Sequence, residues 1–395
     1  MTEAHAARVR NLARDPRAPR MKAKKMRRSR AKRMDSRTTN HGLAAEVQSL
    51  EARSLPTGTV TASLSNGALT IGGDNLDNSI LITVRSTGIY LTGVQDAQKN
   101  PDDPVTFTKI KFAGTTTDDG TRVLLTDSLS LKSLAILMRG GKDIVRMNVG
   151  IAATDPDADA PKLSITGRVR VNLGAGNDHG VLLLNNGTLT IGGNLEGDLE
   201  NGDDCFLVAG TDPDHPVQVD GRVIILGRLG NDLIGLEGIN VNKSVIINGG
   251  DHNDSIALQS MTIKGNLSLD AYDGNDDLLI DRVTTTGTTT IRGGSGNDRL
   301  RINELTATGN VAVYMGSGTD QLSVGTVTLG ATTKVTLDGG SGTDALALEG
   351  ELTDPPYKVR GVENTAAEID PQEIIGSIAT QILECVVATE LVQPN

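Results

Sequence analysis

There is no tryptophan in this 395-residue chain, and it holds only three Phe and four Tyr. A globular core of this length ordinarily draws on far more aromatic volume. The absence argues against one large compact core, and against the aromatic platforms on which sugar-processing clefts seat their rings. Cysteine is nearly absent as well. Cys205 and Cys385 lie far apart in unlike contexts; they read as unpaired small hydrophobes, with a disulfide between them as the alternative. No run of 18 apolar residues occurs, so no segment can cross a bilayer as a helix. Neither a phosphate-cradling glycine loop nor zinc-ligand spacing appears.

What is present is 46 Gly, many short Val/Ile/Leu/Thr runs, and a charge divided along the chain. Residues 1–40 carry fourteen Lys and Arg against Glu3, Asp15 and Asp35, whereas from residue 58 onward 23 Lys and Arg face 44 Asp and Glu. A basic head on an acidic body indicates two different jobs. Residues 1–57 lack hydrophobic periodicity and are expected to be disordered. The region also lacks the apolar stretch of an ordinary secretory signal.

After that basic cluster comes Val47-Gln48-Ser49-Leu50-Glu51-Ala52-Arg53-Ser54-Leu55, followed at once by β-type sequence. This Leu-Glu-x-Arg-x-Leu segment resembles the N-terminal segment of planctomycete extracellular proteins, with Pro56 where that family usually has a second Leu. The resemblance implies export to the cell surface or beyond. The alternative is a basic tail for nucleic acid; without aromatic or recognition-helix patterning, only non-specific phosphate attraction can be argued for it.

Residues 58–173 alternate in period 2, as in Val60-Thr61-Ala62-Ser63-Leu64 and Ile80-Leu81-Ile82-Thr83-Val84, which predicts short strands between Gly/Asn/Asp turns. They read as irregular coils of a solenoid, with a separate β-sandwich as the alternative. Residues 174–365 repeat openly. Asp232, Asp254, Asp276, Asp298 and Asp320 follow one another at 22 residues and Asp344 at 24, while Asp178 and Asp204 extend the series upstream at looser spacing. Apolar residues keep step: Ile234, Ile256, Leu278, Leu300, Leu322 and Leu346 two residues on, and Leu236, Leu258, Ile280, Ile302, Val324 and Leu348 four on.

In a strand these two positions share a face. One coil cannot bury that face alone, but a stack at about 4.8 Å per coil can. The fold class is therefore all-β: a parallel β-helix of about 22-residue coils, some 35–40 Å long for eight of them. Gly265, Gly287 and Gly309 mark a second bend in each coil. Residues 366–395 change character. Asp370-Pro371 reads as a helix start, and Ile374, Ile375, Ile378, Ile382, Val386 and Val387 share a helical face. This predicts a capping helix across the last coil, with a docking or oligomerisation helix as the alternative.

Two segments, Gly293-Gly294-Ser295-Gly296-Asn297-Asp298-Arg299-Leu300-Arg301 and Gly339-Gly340-Ser341-Gly342-Thr343-Asp344-Ala345-Leu346-Ala347, resemble the calcium-binding nonapeptide of repeat-in-toxin (hemolysin-type) proteins. Here there is one motif per coil rather than motifs in direct succession. The resemblance implies calcium as the cofactor, held along a column of Asp178, Asp204, Asp232, Asp254, Asp276, Asp298, Asp320 and Asp344. Carboxylates about 5 Å apart repel by roughly 3 kcal/mol per pair at an effective dielectric near 20, and a row of divalent cations would remove that cost. Asx-turns without metal explain the same residues.

Together these readings predict an exported, acidic, non-enzymatic β-helix. Its expected partners are calcium ions and cell-surface or matrix components, in a structural or adhesive role. The alternative is a polysaccharide-active β-helix, a lyase or hydrolase. It would need Asp102, Asp103, Lys109, Lys111, Asp118, Asp119 and Arg122 to converge.

Overall fold

The computed structural model describes residues 58–95, 106–150, 160–184, 187–210, 216–349, 357–363 and 371–388. The expected disordered head, residues 1–57, lies outside these. The described chain is a β-solenoid of two long sheets, fourteen and seventeen strands wide, whose neighbours are successive coils paired in parallel. One coil illustrates the rest. Strand Ser255–Ile263 bends at Ser260, whose φ of 52° splits it into two straight faces. A corner at Gly265 turns the chain into strand Leu267–Asp273, and a glycine-aspartate turn closes the circuit. The next coil repeats this in register, Ile256 on Leu278 and Leu269 on Ile291.

The interior is a stack of like on like. Every +2 residue from Ile234 to Leu346 is buried, and so is every +4 residue except the last, Leu348. A single apolar core runs from Val60 to Leu346, so residues 58–173 and the regular repeats share one interior. The constant 22-residue advance holds only between Asp232 and Asp320; upstream steps are 35, 26 and 28 residues.

The two ends differ. Antiparallel hairpins close the N-terminal end: Thr59–Ser65 with Ala68–Gly72, Ser79–Arg85 with Gly88–Gly93, and Lys109–Phe112 with Thr115–Thr117. The C-terminal end stops at Tyr357–Arg360, laid in parallel on Val335–Gly342.

The helix forms at Pro371–Ala388, but it does not lie across the last coil. It runs along the outer face of the seventeen-stranded sheet, where Ile374, Ile378, Cys385 and Val386 pack on Val181, Leu183, Leu207, Leu233, Ala257 and Leu279. The reason is that these strands are apolar on both faces, as in the buried run His179–Leu184, and the outer face needs a cover. The two cysteines are joined, Cys205 to Cys385, which corrects their reading as unpaired. The bond ties the helix to the sheet.

Candidate functional site

Each glycine-aspartate turn places two successive residues in two columns. The inner column runs from Asn78 through Asp143, Asp178, Asp204, Asp232, Asp254, Asp276, Asp298, Asp320 and Asp344. All of these side chains are buried, none more than 3% exposed. Each aspartate accepts, through Oδ1, the backbone N–H of the column residue one coil earlier, at 2.6–3.0 Å. Glu363 ends the series by accepting from Asp344 N–H at 2.8 Å. These ten steps measure about 48 Å at the usual strand spacing.

The outer column is one residue earlier in each turn: Asn177, Asp203, Asn231, Asn253, Asn275, Asn297 and Thr319. It is exposed and runs the other way. Here the side-chain oxygen of each of the first six accepts from the backbone N–H of the next column residue, at 2.7–3.2 Å, and Thr319 ends the series as a donor. The turn amides are thus satisfied by side chains reaching between coils, as buried or crowded backbone groups must be.

The nonapeptide residues find their reasons in this geometry. Gly296 has φ +131°, and a Cβ there would stand 1.6 Å from Gly274 O of the coil below. The same left-handed slot is taken by His252 in one coil. Gly293 is small for another reason: its Cβ would lie 2.4 Å from Asp298 Oδ2 and 2.5 Å from Met315 O. Asn297 and Asp298 fill the two columns, and Leu300 enters the core.

Burial is the main electrostatic fact. It pushes the carboxyls up, against the amide hydrogen bond each accepts and with help from neighbouring acids. The results are about 6 for Asp178 and Asp320, about 7 for Asp143, Asp232, Asp276 and Asp298, about 8 for Asp204 and about 9 for Asp254. Asp344 is raised for the same reason. The Oδ2 atom of all nine has no hydrogen-bond partner.

All eight aspartates singled out from the sequence therefore stand in one column, facing inward. Asp143 belongs with them and was missed, although Gly140-Gly141-Lys142-Asp143 carries the turn signal; the 35-residue step hid it. Calcium asks for six to eight oxygens. Each ladder aspartate has one oxygen committed to an amide, and among the described residues no group of three or more His, Cys, Asp or Glu is placed to hold a metal ion. Side chains alone therefore do not complete a calcium shell among the described residues.

Two of the polysaccharide candidates are engaged locally. Asp119 caps its own turn at Thr121 N–H, 2.9 Å away, and Arg122 lies 4.5 Å over the Tyr90 ring. Asp102 and Asp103 lie outside the described residues. Asp276 and Asp277 point to opposite faces: Asp276 into the column, Asp277 outward to a two-pronged pair with Arg299. Arg299 also reaches Glu373 on the helix at 3.1 Å. Comparisons of the chain with protein-family models, with curated proteins and with solved structures returned no match.

Proposed function

We propose that the protein is an exported structural β-solenoid, a stiff acidic rod with a structural or adhesive role at the cell surface or in the extracellular matrix, and not an enzyme. The observation that carries this reading is the double column. The residues that look most like chemistry, Asn-Asp repeated coil after coil, are engaged in holding one coil to the next. The Cys205–Cys385 bond supports export, because such bonds persist in oxidising compartments and are rare where thiols are kept reduced. The acidic body keeps rods apart in solution by mutual repulsion.

Labelling intact producing cells with a membrane-impermeant amine reagent tests the location. The expected result is a labelled chain with Cys205 and Cys385 recovered as one linked peptide pair. A chain shielded from the reagent, with both thiols free to alkylate, would overturn the reading. Thermal melting with calcium and with a chelator tests the metal. The two curves are expected to coincide, and a melting point raised by calcium would restore the calcium-stabilised rod.

A further inference from the structure

Each buried aspartate leaves one oxygen without a partner, and the surroundings of that oxygen are informative. At four steps a backbone carbonyl of the following coil enters the same notch. The Cβ position of Gly227 is 2.6 Å from Asp232 Oδ2 and 1.9 Å from Gly249 O. For Gly249 the distances are 2.4 Å to Asp254 Oδ2 and 2.8 Å to Ala271 O. Gly293 sees Asp298 Oδ2 and Met315 O, and Gly339 sees Asp344 Oδ2 at 2.9 Å with Gly361 O at 2.0 Å. The strand register skips these very residues, passing from Asn248↔Asp270 to Gly250↔Tyr272 and from Asp270↔Arg292 to Tyr272↔Gly294. Two acceptor oxygens thus flank each of these glycine positions, and the carboxyl one has no hydrogen-bond partner.

We propose that the ladder aspartates are neutral acids, each turning its Oδ2–H toward the main-chain carbonyl of the next coil, so that the column is a file of bound protons linking coil to coil. The proton supplies the missing donor and removes the charge that single-file carboxylates could not sustain. The first residue of the column points the same way. Asn78 occupies the aspartate slot with a neutral side chain that carries its own donor, and its Nδ2 gives hydrogen bonds to Leu76 O at 2.5 Å and Asp143 Oδ1 at 3.0 Å.

The charged groups around the column do little to oppose this. Lys142 near Asp178 and His252 near Asp232 favour the ionised form, whereas Asp77, Asp203, Asp251, Asp273, Asp277, Asp338 and Glu363 disfavour it at one rung or another. The upward displacement of the carboxyls by burial agrees with the geometry.

The consequence for stability has a definite sign. Above about pH 4 the unfolded chain releases protons that the folded column keeps, so the folded state binds more, and stability falls as pH rises. The fall runs from the unfolded value of 3.8 to the folded values between about 6 and about 9. A calcium column would behave in the opposite way, since metal ligands must be ionised.

Infrared spectroscopy of the full chain in D2O, paired with melting curves, tests the idea. At pH 6 the wild type is expected to show a protonated-carboxyl carbonyl band, which Asp254→Asn and Asp276→Asn each diminish. Because an amide keeps a donor where the acid had its hydroxyl, both variants should melt at or above the wild-type temperature at pH 9. They should also show a weaker dependence on pH. A spectrum with carboxylate bands alone at pH 6 would overturn the proposal without needing any variant to fold. So would Asn variants that melt well below wild type at pH 9.

Discussion

Asp203 and Asp204 are neighbours in one turn and could hardly be more different. Asp203 is exposed; Asn231 gives it a backbone hydrogen bond at 2.9 Å and a side-chain one at 2.8 Å, which hold its carboxyl below the ordinary value. Asp204 is 3% exposed, and burial pushes it up to about 8. The difference is one of side: successive strand residues point to opposite faces, so the same side chain becomes a solvated anion or a buried acid by a shift of one position. The outer column is a set of ordinary turn caps. The inner one is part of the core.

That contrast can be broken or sharpened by substitution. Gly296→Ala should have the largest effect, because it strikes both columns at once: the added methyl meets Gly274 O in a left-handed conformation. A loss upward of about 4 kcal/mol is expected, in the range reserved for severe core and backbone lesions, read from the urea midpoint. Asp276→Ala attacks the inner column alone. It strands the amide of Asp254 away from water, at an expected cost of about 1–3 kcal/mol. Asn275→Ala is its outer counterpart. The amide of Asn297 that it frees can turn to water, so the change should stay within about 0.5 kcal/mol. Equal effects of the last two would erase the distinction between the columns.

Much of this was readable beforehand. The apolar positions two and four residues after each aspartate gave the coil, because stacking like on like demands a constant advance. The same parity also places the aspartate itself on the inward face, an implication that thinking of it as a turn residue conceals. Asp143 escaped because 35 residues separate it from Asp178. The helix was legible as a helix but not as a flank. Its apolar stripe of Ile374, Ile378, Ile382 and Val386 would serve equally over an end or a side. Only the unbroken apolar run in His179–Leu184 and the additional Leu233 and Leu279 signal a second covered face. The cysteine pairing depended on that placement, since 180 residues separate the partners.

A pile of layers, each touching only the layers above and below, comes apart by fraying from its tips. The helix changes how this pile can fail. It rests on strands from His179–Leu184 to Arg299–Ala307 and is bolted by sulfur near one extreme and by the Arg299–Glu373 ion pair near the other. Peeling can begin at the C-terminal tip, beyond the layers on which the helix rests, but once it reaches the braced layers they must let go together.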